Sequence, residues 1–181
     1  MTYLLRLKCF LLATIVFISA ISGSGQANQT HTTKNNPYKC TPCGNDCDKA
    51  EHSEPGICTH CNMPLVKKST NHFKTIAPEK ICDYISTHPA LILLDVRTKE
   101  EFEGKADPDY GTLRGAINIP VQELESRLNE IRNLKTKEII VYCSHSRRSP
   151  RASYILTQNG FKNVTNMAGG MSVLMSNECK K

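Results

Sequence analysis

Between positions 75 and 177 the sequence alternates between short, continuous apolar runs and segments whose apolar residues recur at helical spacing. Residues 91–95 (LILLD) and 138–143 (EIIVYC) are runs of the buried-strand type, whereas 121–134 places apolar side chains every three or four residues. Continuous apolar strands separated by helices are typical of a parallel sheet that is covered on both faces. The alternation therefore predicts an α/β fold, with a parallel sheet flanked by helices.

Local signals predict where two of the helices begin and end. Thr98, with Glu101 three residues later, predicts a capping box at the start of one helix. Ser149 followed by Pro150 predicts the N-cap and the first position of another, and Gly160 predicts its end. This second helix follows the strand predicted for 138–143, so the sequence predicts a strand, a polar loop and a helix in succession.

The N-terminal leader (1–27) has the layout of a secretory signal peptide. Arg6 and Lys8 precede a short apolar run at 10–21, and small residues follow it. An uncleaved membrane anchor that faces outward is the alternative, although the run is shorter than the roughly 20 residues of a membrane span. We therefore expect an exported protein, periplasmic or otherwise secreted, with residues 28–37 as a linker.

The charge of the chain is mild. The formal net charge is +6, and about +4 is left without the leader. No aromatic residues interleave with a basic stripe, so we do not expect nucleic acid as a partner. A membrane contact is expected only if the leader is uncleaved.

Residues 38–67 are rich in cysteine and poor in large apolar residues. Such a segment cannot bury a core alone and needs a metal or disulfides to hold it. Two CxxC pairs favour zinc or another soft heavy metal in a tetrahedral site; their cysteines are Cys40, Cys43, Cys58 and Cys61. Further candidate ligands are Cys47, His52 and His60. A disulfide-stapled segment is the alternative, because exported proteins meet oxidising surroundings. A short polar linker, 68–74, follows.

Cys143 lies at the carboxyl end of a predicted strand, where α/β proteins place their functional groups. Loop N–H groups, a helix N-terminus and two arginines would favour its thiolate over the thiol and would attract an anion. We predict a nucleophile, with a buried structural cysteine as the alternative. The candidate substrate-binding residues of the loop are Ser144, His145, Ser146, Arg147 and Arg148.

The runs LLDVRTKEEFEG, GTLRGAINIP, IIVYCSHSRRS and MAGGM resemble, in that order and spacing, a rhodanese-like domain over about 75–178. The resemblance implies a sulfurtransferase enzyme in which Cys143 takes a sulfane sulfur from a small anionic donor such as thiosulfate. The resulting persulfide then passes the sulfur to a thiol acceptor, without a cofactor. It also implies that Asp95, Arg97 and Ser149 brace the loop. The run PGICTHCNMPLV resembles a heavy-metal-binding domain.

Loop length and one substitution separate the rival functions. Four residues lie between Cys143 and Arg148, as in sulfurtransferases. In phosphatases and arsenate reductases of this fold, the loop is one residue longer. Their arginine would fall at position 149, where this chain has Ser149. Ser146 stands where the family often has glycine, and a Cβ there would strain a turn with positive φ. A slow or non-catalytic binding module coupled to metal binding or sensing is therefore the alternative.

Overall fold

A computed structural model describes residues 37–106 and 108–181 of the chain. The leader and nearly all of the first linker lie outside these residues, so the signal peptide stays a prediction. Within the described residues, no helix has the length and apolar character that crossing a membrane requires.

The cysteine-rich segment contains little regular structure, as its low apolar content predicts. Strand β1 (Tyr38–Cys40) pairs antiparallel with β2 (Leu65–Lys67), so that Cys40 lies opposite Leu65. A short 3-10 helix, Asp46–Lys49, lies between the two strands in sequence. This β1–β2 hairpin holds the two ends of the segment together.

A five-stranded parallel sheet forms the larger part of the described chain, which confirms the predicted fold class. The strands are β3 (Lys74–Ile76), β4 (Ile92–Asp95), β5 (Ile117–Asn118), β6 (Glu138–Tyr142) and β7 (Asn163–Met167). Their spatial order is β3-β7-β6-β4-β5, so β6 is the central strand. The short edge strand β3 begins in the predicted linker, where half-exposed polar residues give no strand pattern.

Helices cover both faces of the sheet: α1 (Ile81–Thr87), α2 (Lys99–Phe102), α3 (Leu124–Arg127) and α4 (Arg148–Gln158). Successive residues of β6 point to opposite faces, so Ile139 and Val141 pack in one core cluster while Ile140 and Tyr142 pack in the other. The capping box of α2 forms as predicted, since Thr98 Oγ1 accepts from Glu101 N–H and the Glu101 carboxylate accepts from Thr98 N–H.

Two predicted helix boundaries are wrong. The helix expected over 121–134 is α-helical only at Leu124–Arg127 and continues as a 3-10 helix through Leu128–Leu134. Ser149 is not the N-cap of α4, because that helix already begins at Arg148. Ser149 is fully buried inside its first turn, where Pro150 is tolerated because the first N–H groups of a helix lack intrahelical partners.

Cys82 and Cys179 form a disulfide between α1 and the C-terminal tail. From the sequence, Cys82 is expected to fill the core on the apolar face of its helix. Cys179 is expected to be a bystander thiol, with resolution of a Cys143 persulfide as the alternative. The disulfide shows that these expectations are wrong. The tail folds back along the domain, where Lys180 forms a β-bridge with Leu113 and Arg114 N–H donates to the Cys179 carbonyl over 2.8 Å. This return brings together two cysteines 97 positions apart.

Candidate functional site

Cys143 directly follows the central strand β6, and the loop 144–147 connects it to α4. The residue is fully buried, and its Sγ lies 3.4 Å from Ser149 Oγ. The thiol donates to the hydroxyl in this arrangement, and Ser149 O–H would be the donor to a thiolate. The structure thus places the sulfur beneath the loop at the N-terminus of an eleven-residue helix.

The carbonyl groups at the start of this loop are bound by the segment that follows β7. Met171 N–H donates to the Cys143 carbonyl over 2.8 Å, and Ser172 N–H donates to the Ser144 carbonyl over 2.9 Å. The turn at Gly170 must approach closely, because a Cβ there would lie 2.4 Å from the Cys143 oxygen. In the described part of the chain, the main-chain N–H groups of 144–147 donate to no acceptor. They are therefore available to an anion.

Ser146 has a φ of 57°, in the left-handed region that favours glycine. The sequence predicts a strained turn with positive φ here, because the family often has glycine at this position. The turn with positive φ is therefore present although a serine occupies it, and the backbone of Ser146 is strained.

Glu101 joins the loop to α2, and sequence reasoning missed this role. Arg148 donates to both of its carboxylate oxygens, over 2.6 and 2.7 Å, and Ser144 Oγ donates over 2.9 Å. The Arg148 guanidinium, with the donors from Thr98 and Ser144, lowers the pKa of Glu101 to about 2. The capping box placed Glu101 beside Thr98, but no sequence signal links it to Arg148.

The two arginines of the loop therefore differ in what they face. Arg148 is paired with Glu101, whereas Arg147 is exposed and forms no ion pair with any described residue. His145 is also exposed, and its Nε2 lies 3.1 Å from the Tyr110 hydroxyl. Of the two cations, Arg147 has the freer charge for an incoming anion, while Arg148 fixes the loop.

Asp95 and Arg97 form a fully buried ion pair at the carboxyl end of β4. Arg97 Nη2 donates to Asp95 Oδ2 over 2.6 Å and also reaches Thr112 Oγ1, so the pair joins two chain segments. Burial opposes the charge of Arg97, but the hydrogen bonds to Asp95 outweigh it and raise the arginine pKa. This placement agrees with a bracing position next to β6, without contact to the Cys143 sulfur.

The cysteines of the N-terminal segment converge, but in a different grouping from the two CxxC pairs. Four sulfurs lie within 4.8 Å of one another, and they belong to Cys40, Cys47, Cys58 and Cys61. Cys47, which lies in the 3-10 helix, thus takes the place expected for Cys43. Neither His52 nor His60 belongs to a candidate metal group of the described chain.

The dimensions of this thiol group fit a soft metal ion. A tetrahedral ion with metal–sulfur bonds of about 2.3 Å needs sulfurs roughly 3.8 Å apart. The Cys40 and Cys61 sulfurs lie 3.1 Å apart, and all four sulfurs are within 4.8 Å. All five cysteines of the segment are free thiols, so the disulfide alternative is not what the structure contains. The group could hold a metal ion, which would replace the hydrophobic core that the segment lacks.

The cysteine-rich segment packs directly against the Cys143 loop. Gly44, with φ +77°, approaches so closely that a Cβ there would lie 2.3 Å from the Ser146 carbonyl oxygen and 2.4 Å from Arg147 Cα. On the other side of the segment, Arg151 Nη1 donates to Met63 Sδ over 3.6 Å. The two parts of the described chain therefore meet at the loop that surrounds the candidate nucleophile.

Comparison with known proteins identifies the family of the larger part of the chain. Residues 78–177 match the rhodanese-like domain family. The thiosulfate sulfurtransferase PspE of Escherichia coli (strain K12) is 32% identical over 82 residues, which cover 45% of this chain and 73% of PspE. The uncharacterized protein YqhL of Bacillus subtilis (strain 168) is 44% identical over 78 residues, covering 43% of this chain and 56% of YqhL.

A solved structure shows the same fold. SSP1007 from Staphylococcus saprophyticus superimposes with a TM-score of 0.50 at 24% identity, covering 60% of this chain and 100% of that one. The chain spans about half the length of YqhL and of the putative sulfur carrier protein YrkF of the same bacterium. With its parallel sheet, its Cys143 loop and the match over 78–177, the chain belongs to the rhodanese-like domain family.

Proposed function

We propose that the protein is an exported sulfurtransferase that carries sulfane sulfur on Cys143. The Cys143 thiolate attacks the outer sulfur of a donor such as thiosulfate, forming a sulfur–sulfur bond while the donor's own sulfur–sulfur bond breaks. Sulfite leaves with the electron pair of that bond. An acceptor thiolate then attacks the outer sulfur of the Cys143 persulfide, which releases Cys143 as a thiolate and leaves the persulfide on the acceptor.

The observation that carries this proposal is the set of main-chain N–H groups at 144–147, which donate to no described acceptor and lie between Cys143 and the N-terminus of α4. These donors and the helix dipole stabilise negative charge on the sulfur and on an anionic donor. Arg147 adds an exposed cation at the same loop. Because Cys143 is fully buried, a donor with a slender sulfane end fits this approach better than a bulky one.

Export is supported by two independent features. The leader has the layout of a signal peptide, and the Cys82–Cys179 disulfide is of a kind that persists in oxidising compartments. We place the protein in the periplasm or outside the cell on these grounds. In such surroundings the burial of Cys143 protects its thiol from idle oxidation.

The cysteine-rich segment is proposed to hold zinc or another soft metal ion through the four-sulfur group centred on Cys40 and Cys58. The ion, when bound, supplies a structural crosslink. Such a crosslink would fix the segment, including Gly44, which lies against the Ser146 carbonyl. Metal analysis of the purified protein tests this part, and a metal-free segment with oxidised thiols would contradict it.

Intact mass spectrometry tests the catalytic proposal. Incubation with thiosulfate should add one sulfur atom to the protein, and an acceptor thiol should then remove it. Cys143→Ser should lose both the added atom and turnover. Met175→Ala, which truncates an exposed side chain outside the loop and the thiol group, should keep both.

A binding module with slow or absent turnover is the second candidate. The strained φ of Ser146 favours it, because serine replaces the glycine that the family often has at this turn. The same experiment separates the two functions. Equal sulfur-transfer rates for the wild type and Cys143→Ser would refute the enzyme and favour the module.

A further inference from the structure

The thiol cluster of the N-terminal segment contains more ligands than one ion uses. A tetrahedral ion is satisfied by the four-sulfur group that includes Cys47 and Cys61. A fifth thiol, Cys43, remains, and its Sγ lies 3.5 Å from the Cys47 sulfur. Nothing in the sulfur-transfer site or in the first metal group accounts for a thiol at this position.

Cys43 belongs to a second group of ligand atoms that overlaps the first. Atoms of Cys40, Cys43, Cys47 and Asp48 also lie within 4.8 Å of one another. The two groups share Cys40 and Cys47. Because a thiolate sulfur has several lone pairs, a shared cysteine can bind two ions at once and bridge them.

Asp48 is held in place for this second group by the main chain. Its carboxylate accepts from Cys43 N–H over 3.0 Å and from Gly44 N–H over 2.7 Å. Asp48 Oδ1 lies 3.2 Å from Cys43 Sγ, so the carboxylate and the fifth thiol already face one another. Hydrogen bonds of this kind orient a carboxylate ligand and reduce the cost of fixing it on an ion.

We propose that the segment binds two zinc-like divalent ions, which share two bridging thiolates. The inner ion is held by Cys40, Cys47, Cys58 and Cys61, and the outer ion by Cys40, Cys43, Cys47 and Asp48. The inference rests on the proposed single metal ion and adds the outer position to it. Each coordinating thiol releases its proton to solvent, and no oxidation or reduction takes place.

The ligand types identify the class of ion. Three thiolates and one carboxylate suit zinc or cadmium, which accept sulfur and oxygen together, whereas monovalent copper favours sulfur ligands alone. The outer ion also lowers the net negative charge of the thiol cluster. It adds two positive charges, whereas deprotonation of Cys43 adds one negative charge. The fifth thiol and Asp48 are therefore better satisfied with an ion than without one.

The two positions differ in access to solvent. Cys40 and Cys58 are buried, whereas Cys43, Cys47 and Asp48 are only half-buried. The inner ion is thus enclosed and the outer ion lies nearer the surface, where it exchanges faster. The outer position borders a cleft that Gly44 and Asp48 line together with Ser146 of the sulfur-handling loop.

Metal counting and cadmium NMR test the proposal on the full purified chain. Native mass spectrometry after loading with zinc should show two ions in the wild type and one in Cys43→Ser. Substitution with cadmium-113 should give two resonances that are split by coupling through the shared sulfurs. Two uncoupled resonances would overturn the bridged arrangement.

The two aspartates of the 3-10 helix provide a matched pair of variants. Asp48→Asn should weaken the second ion by about tenfold or more and leave the first unchanged. Asp46→Asn, which alters an exposed carboxylate paired with Lys49, should leave both ions unchanged. One ion in both the wild type and Cys43→Ser would overturn the second site alone. No bound ion in the wild type would overturn the single-ion proposal as well.

Discussion

Replacing Glu101 with glutamine removes the charge that joins α2 to the Cys143 loop while keeping the shape of the side chain. Glu101 is only 8% exposed and accepts from Arg148, Ser144 and Thr98 N–H. The Glu101→Gln variant leaves the Arg148 guanidinium without its counter-charge in a half-buried position. We expect it to destabilise the protein at neutral pH.

The magnitude follows from the pKa of Glu101, which falls from 4.5 to about 2 in the folded chain, chiefly through Arg148. A shift of one unit corresponds to about 1.4 kcal/mol, so the charged carboxylate contributes about 3 kcal/mol of stability at pH 7. Because the folded pKa is depressed, this contribution is complete above pH 4.5 and is lost as the pH falls toward 2. Less than about half of it is left at pH 3.

Denaturant unfolding of both proteins between pH 7 and pH 3 measures this effect. The stability difference between the wild type and Glu101→Gln should be largest at pH 7 and should shrink below pH 4.5. Glu130→Gln is the matched control, because Glu130 makes the same two-pronged contact with Arg127 at an exposed surface. It should change stability much less. A difference for Glu101→Gln that is independent of pH would refute the reasoning.

Three further predictions concern the loop and the tail. Gly44→Ala should displace the Ser146 carbonyl and slow sulfur uptake from thiosulfate by about tenfold to a hundredfold. Gly56→Ala is the control and should leave the rate unchanged, because its Cβ would meet only a side-chain atom at 3.9 Å. Ser146→Gly should raise the free energy of unfolding by up to about 1 kcal/mol in denaturant titrations, since it relieves a φ of 57°; a loss of stability would count against strain there. The double variant Cys82→Ser, Cys179→Ser should lose about 2 to 4 kcal/mol of its free energy of unfolding. A reductant should lower the melting temperature of the wild type to that of the variant and should leave the variant's melting temperature unchanged.

The sequence by itself determined the features that depend on neighbouring residues. The apolar runs predicted β4 and β6, and the spacing of Thr98 and Glu101 predicted the capping box of α2. The sequence also placed Cys143 at the carboxyl end of a strand, because Cys143 directly follows the apolar run of that strand. These features depend on backbone geometry and hydrophobic periodicity within about ten residues, and both can be read from neighbouring positions in the sequence.

Only the tertiary structure decided which distant residues meet. The Arg148–Glu101 pair joins residues 47 positions apart, and the disulfide joins Cys82 to a tail 97 positions away. The entry of Cys47 into the thiol group likewise depends on how a short 3-10 helix turns beside the hairpin. Such contacts depend on strand order and on the path of the chain between elements. Residue spacing identified the sulfur that is proposed to react, whereas packing decided which side chains hold its loop in place.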